Sequence, residues 1–330
     1  MTLKKCNTIM AIFFIGLSLV AVCIHPKISD AQVARIEVLP VQTVTLTDQQ
    51  FLTGAKEGKP TLIAGELRIP RPGLDRLPAI VLVHGSGGIG ANVDGWSQEL
   101  NKMGVVTFIL DGFTGRGISD TIVDQEQLGR LTKINDVYRV LELLAKHPRI
   151  DPSRIGLMGF SRGGMIALYA SLKRFKRMHG PSDIDFSAYL PFYAPCNYTY
   201  IDDVEVSDRP IRLFHGMADD YVSIGPCQAY VERLQKAGKD VKLIGYSDAY
   251  HAFDNPTIKG AMRLPQAQTT RNCKFEEDPV GHLINSQTKQ PFSMNDSCVE
   301  RGTTVGYNAQ AYSEALKAVK EFLTVTFKLK

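Results

Sequence analysis

Arg154-Ile-Gly-Leu-Met-Gly-Phe-Ser-Arg-Gly-Gly164 is the stretch that decides the fold. Ile155, Leu157, Met158 and Phe160 make a short apolar run that reads as a buried strand, and Asp151-Pro152 punctuates its start. Gly159-Phe160-Ser161-Arg162-Gly163 fits G-x-S-x-G, and residues 164–173 continue at helical period. A serine on a sharp strand-to-helix turn sits in strained backbone, and only glycine on either side lets strand and helix approach. The turn lifts the hydroxyl clear of the sheet, and the N–H of the next residue faces a helix N-terminus. The five-residue pattern is weak by itself; its context carries the weight.

Working outward, Pro78-Ala-Ile-Val-Leu-Val-His84 and Val105-Val-Thr-Phe-Ile-Leu110 are continuous apolar runs, the mark of strands covered on both faces. Thr61 to Pro70 reads as an earlier strand, and Val33 to Pro60 as a hairpin or two strands. Further strands fit 187–193, 210–215 and 241–246. Helical periods fit 94–103, 123–147, 225–237 and 307–328. Buried strands alternating with helices predict a doubly wound α/β domain with a mostly parallel sheet and helices on both faces. Residues 32–330 read as a single domain, with a cysteine-bearing excursion at about 255–305 that lacks clear periodicity.

The chain has 330 residues, 44% hydrophobic and 22% charged, with formal net charge +4. No basic run is long enough to suggest a nucleic-acid surface. Residues 1–31 read as a signal peptide: Lys4 and Lys5, then an apolar core from Ile9 to Ile24, then Ser29-Asp30-Ala31 before cleavage. An uncleaved anchor is the alternative, but the run is short for a membrane span. Removal takes three lysines and Asp30 from the +4 total, leaving +2, and the mature chain is expected to be secreted or periplasmic and off the membrane. Four cysteines then remain, an even number that reads as two disulfides. Of three connectivities we favour Cys196–Cys227 with Cys273–Cys298, the latter closing a loop worth about 3 kcal/mol. No C-x-x-C spacing or paired histidines support a metal site, and no metal or cofactor is expected.

A serine nucleophile needs a base, and the base needs an orienting acid. In doubly wound hydrolases these follow in the order serine, acid, histidine, on loops at strand C-termini. His215-Gly-Met-Ala-Asp-Asp-Tyr-Val222 and Tyr250-His-Ala-Phe-Asp254 fall where that order requires. Together with Gly-Phe-Ser-Arg-Gly-Gly, they resemble the dienelactone hydrolase family of α/β-hydrolases over about residues 60–255 and the final helix. The resemblance implies catalytic roles for Ser161, Asp219 and His251. The namesake enzymes carry a cysteine where this chain has Ser161, which favours a general esterase acting on ester or lactone bonds. Two backbone N–H donors are needed for the oxyanion, and we assign them to Ser86, in the glycine-rich turn after His84 with Gly87 as the next candidate, and to Arg162.

Other residues compete for these roles. Asp220 is the alternative acid, but the family's acid stands three before the valine. Asp111 reads as a structural turn, and His84 and His215 as hydrogen-bonded structural histidines. His25, His147, His179 and His282 have no motif around them. Arg116 is either a solvated arginine or a grip on an anionic substrate. The loop 85–90 lacks the lysine of a P-loop. About fifty residues separate Ser161 from the acid strand, which leaves little room for a lid there. We therefore expect an open site for small or polymer-attached esters, with a peptidase and a non-catalytic binding protein as the rival readings.

Overall fold

The computed structural model describes residues 33–329, so the signal segment and His25 lie outside the described residues. Strand β1 (Arg35–Thr45), helix α1 (Asp48–Leu52) and strand β2 (Lys59–Ile69) come first, with β1 and β2 antiparallel. Among the described residues one strand, not two, therefore lies before β2. A capping box missed in the sequence makes the helix: Thr47 Oγ1 accepts from Gln50 N–H, and Gln50 Oε1 accepts from Thr47 N–H.

The alternating part follows as β3 (Leu77–Val83), α2 (Ala91–Lys102), β4 (Val106–Asp111), α3 (Thr132–Ala145), β5 (Ile150–Phe160), α4 (Arg162–Tyr169) and α5 (Lys173–His179). It continues through β6 (Ala188–Phe192), the two-residue β7 (Tyr198–Thr199), β8 (Ile211–Gly216), α6 (Gly225–Lys236) and β9 (Val241–Tyr246). Eight strands form one sheet in the order β1-β2-β4-β3-β5-β6-β8-β9. β2 pairs antiparallel with both β1 and β4; every other pairing in the sheet is parallel. This is the α/β-hydrolase arrangement.

Every residue of β3 is buried, and its side chains alternate between two cores. Val81 and Val83 join Leu131, Ile134 and Val137 and the apolar residues of α4 and α6 on one face. Ile80 and Leu82 join Trp96 and Leu100 of α2 on the other, where the closing helix α7 (Ala309–Thr326) adds Ala315, Val319 and Leu323. Both faces are thus covered, which is why β3 and the end of β5 read as unbroken apolar runs.

Two expectations need correction. The helix placed over 123–147 starts only at Thr132; residues before it form a loop with a 3-10 turn at Gln125–Gln127. Val123, Leu128 and Leu131 mimic the helical period, but Val123 is exposed while Leu128 and Leu131 are buried as loop residues. The excursion is also regular: β10 (Ala261–Thr269), β11 (Phe275–Glu277), β12 (Leu283–Asn285) and β13 (Glu300–Gly306). β10 and β13 pair antiparallel, and β11 sits between β12 and β7. Disulfides join Cys196 to Cys227 and Cys273 to Cys298, the favoured pairing.

Candidate active site

Ser161 ends β5 and precedes α4 with φ 55° and ψ −117°, a left-handed backbone that a residue with a side chain adopts only under constraint. The constraint is close packing. A Cβ on Gly159 would stand 2.0 Å from Gly163 O, and one on Gly163 would stand 2.1 Å from Val83 O. Neither position tolerates any side chain, so strand, turn and helix are pressed together and Ser161 is pushed outward.

The next two loops complete a hydrogen-bond chain. His251 Nε2 lies 2.9 Å from Ser161 Oγ, and His251 Nδ1 lies 2.8 Å from Asp219 Oδ2. A carboxylate only accepts, so Nδ1 carries the proton and Nε2 is left to accept from the serine hydroxyl. Asp219 Oδ1 accepts from the N–H groups of Tyr221 and Val222 at 2.9 and 2.8 Å, which anchors the carboxylate to its own loop. Tyr193 and Tyr221 hold the imidazole between them, each ring 4.7 Å from it. Tyr193 is itself strained at φ 35°, and its hydroxyl donates to buried Asp254 at 2.8 Å. Trp96 Nε1 donates to the other Asp254 oxygen at 2.7 Å. Such a chain can draw a proton from Ser161 Oγ as it attacks.

The turn after β3 lies directly over this serine: a Cβ on Gly85 would be 3.2 Å from Ser161 Cβ. Ser86 and Arg162 border the same cleft as Ser161, and among the described residues their amide N–H groups meet no acceptor. Beneath the turn, His84 Nδ1–H donates to Gly85 O at 2.8 Å while Nε2 accepts from Gly112 N–H at 3.2 Å. Burial, reinforced by the nearby Lys133 ammonium, depresses its pKa to about 3. Lys133 is itself fully buried, donates to His84 O at 3.0 Å and faces the Phe113 ring; burial holds its amine well below the ordinary lysine value.

The competing residues sort cleanly. Asp220 faces away from His251 and accepts from Thr304 N–H and Oγ1 at 2.6 and 3.0 Å. Asp111 Oδ1 accepts from Phe113 and Thr114 N–H, the expected turn. His215 Nε2–H donates to Val222 O at 2.8 Å, and burial keeps its pKa below the usual value. His147, His179 and His282 contact Glu37, Phe51 O and Asp278 respectively. Arg116 is neither solvated nor a substrate grip: it is buried in a two-pronged pair with Asp136 at 2.8 and 2.9 Å. Its partner stands twenty residues later on α3, beyond the reach of any local pattern.

The cleft over Ser161 has a volume of about 70 Å³, room for a handful of waters. Met165 of α4 and Tyr198 of β7 line it, with Tyr221 and Val222 from the acid loop. Thr270, Arg271 and Met294 of the excursion form a further wall, beside Pro195 and Asn197 from the segment between serine and acid. That wall is tied to both loops: Gly306 N–H donates to His251 O at 3.0 Å, and Thr269 Oγ1 donates to Tyr221 O at 2.7 Å. Sequence reading left the wall and Asp254 without roles. The only signal for Asp254 was its place in His-Ala-Phe-Asp, three residues after the histidine.

The sequence pattern of the Dienelactone hydrolase family matches residues 63–327. A Bradyrhizobium protein named "Probable 2-oxo-3-(5-oxofuran-2-ylidene)propanoate lactonase" is 26% identical over 206 residues, covering 60% of this chain and 81% of its own. Protein usf of Aquifex pyrophilus is 26% identical over 205 residues, 59% of this chain and 84% of its own. Among solved structures, one titled m3DLH superposes with a TM-score of 0.58 at 17% identity, covering 88% of this chain and 98% of its own. A dienelactone hydrolase-like promiscuous phosphotriesterase from metagenomic libraries does so at 0.54 and 15%, covering 89% and 98%. At these identities the two structures speak for the fold alone.

Proposed function

The chain belongs to the dienelactone hydrolase family, and from that premise we propose that it is a serine hydrolase of small carboxylic esters or lactones. Ser161 Oγ attacks the carbonyl carbon while His251 Nε2 takes its proton, and the carbonyl oxygen becomes an oxyanion facing the Ser86 and Arg162 amides. His251 then gives the proton to the departing alcohol, leaving an acyl group on Ser161. Water gives a proton to His251 as it attacks the acyl carbon, and His251 returns that proton to Ser161 Oγ as the acid leaves. Asp219 keeps Nδ1 protonated and stabilises the imidazolium formed in each half-reaction. Every step uses a side chain or amide of this chain.

The observation that carries this reading is the unbroken run Ser161–His251–Asp219 at 2.9 and 2.8 Å, opening on the cleft. The cleft volume supports an acyl group of a few heavy atoms, with the alcohol part or a polymer chain lying outside. Two disulfides support an oxidising compartment outside the cytoplasm.

The test is turnover of a short-chain aryl ester by wild type and Ser161→Ala, beside a panel of peptide anilides. We expect ester hydrolysis that the substitution abolishes, with anilides untouched. Ester turnover that survives in Ser161→Ala, or cleavage of anilides alone, contradicts the proposal.

A further inference from the structure

The two amides assigned to the oxyanion sit on separate pieces of backbone, one on the turn after β3 and one at the start of α4. Their spacing must be held by something. We infer that Gln125 is the positioning residue that clamps these two donors together, an inference that rests on the serine-hydrolase reading above.

The side chains of both donor residues converge on Gln125. Its Oε1 accepts from Arg162 Nη1 at 3.1 Å and lies 3.2 Å from Ser86 Oγ, while its Nε2 lies 3.1 Å from the same hydroxyl. Gln125 O accepts a second bond from Arg162 Nη1 at 3.1 Å. A primary amide suits this place because it can accept from a guanidinium and exchange a bond with a hydroxyl at once. The surrounding loop reinforces the clamp. Thr121 N–H donates to Ser86 O at 2.8 Å, and Arg162 Nη2 donates to Leu128 O and to Gly129 O, the latter at 3.1 Å. Gln125 N–H donates to Gln268 Oε1 of β10 at 2.8 Å, so the excursion holds the clamp from outside.

Removing an oxyanion donor costs about 10²–10³ in kcat, and a misplacement near 1 Å costs about 10². A residue that sets donor spacing acts on the transition state and leaves ground-state binding almost alone. Gln125→Leu keeps the volume and loses the bonds. We expect kcat to fall about 10- to 100-fold, with KM moving less than about threefold. The rate of Ser161 modification by a fluorophosphonate, whose phosphoryl oxygen occupies the same place, should fall by the same factor. Ser86→Ala combined with Gln125→Leu should be no slower than Gln125→Leu alone, because both cut one connection. Gln125→Met serves the same comparison should the leucine variant fail to fold.

A kcat within twofold of wild type, a loss confined to KM, or full additivity with Ser86→Ala overturns the inference. Wild-type protein that fluorophosphonate does not modify at Ser161 overturns the underlying reading instead, so the two failures are told apart.

Discussion

Asp219 and Asp220 are neighbours in sequence with separate duties. Asp219 bonds the imidazole and two amides of its own loop, whereas Asp220 reaches back to Thr304 on β13. Asp219→Asn should lower kcat by about 10⁴, because an amide cannot enforce the Nδ1–H tautomer. Asp220→Asn should cost less than tenfold in kcat and lower the melting temperature, since it loosens β13; steady-state kinetics and thermal scans on both variants check this. His84 gives the residue scale a pH signature. Its folded pKa, near 3, lies below the unfolded value of about 6.5. The unfolded chain therefore binds the proton first, and the stability from burying neutral His84 is full above pH 6.5. It drains as pH falls from about 6.5 towards 3. Melting temperatures measured across that window should fall in wild type and fall less steeply in His84→Asn.

Among elements, the buried pair of Arg116 and Asp136 links the loop after β4 to α3, with side-chain exposures of 4% and 0%. Arg116→Met strands a buried carboxylate, and urea unfolding should report a loss of about 3–5 kcal/mol. An unchanged urea midpoint would mean the pair is dispensable. The central strands were legible because burial on both faces forces continuous apolar runs: β3 and β4 lie almost where those runs place them. The geometry linking Ser161, Asp219 and His251 was legible because each residue follows the C-terminus of a parallel strand, β5, β8 or β9. What escaped reading depends on distant partners. Gln125 fell inside an apparent helix because loop residues mimicked its period, with Gly129 the one hint that the helix begins later. The excursion hid its strands because β11 and β12 are three residues long and pair with each other and with the remote Tyr198.

At the scale of the molecule, the excursion is a wall locked by its own disulfide. Replacing both Cys273 and Cys298 with serine should lower stability by about 3 kcal/mol in urea and raise KM, because Thr270, Arg271 and Met294 are then less firmly held. An unchanged KM would show that the wall keeps its shape without the bridge. Ser161 is reactive only if its strand-to-helix turn, the histidine loop and the acid loop act together. The most direct measurement is reaction of the folded protein with a fluorophosphonate, followed by peptide mapping of the adduct. We expect one adduct, on Ser161, formed at least about a hundredfold more slowly in His251→Ala. A correctly folded protein that forms no adduct there, or whose labelling ignores the loss of His251, would contradict that expectation.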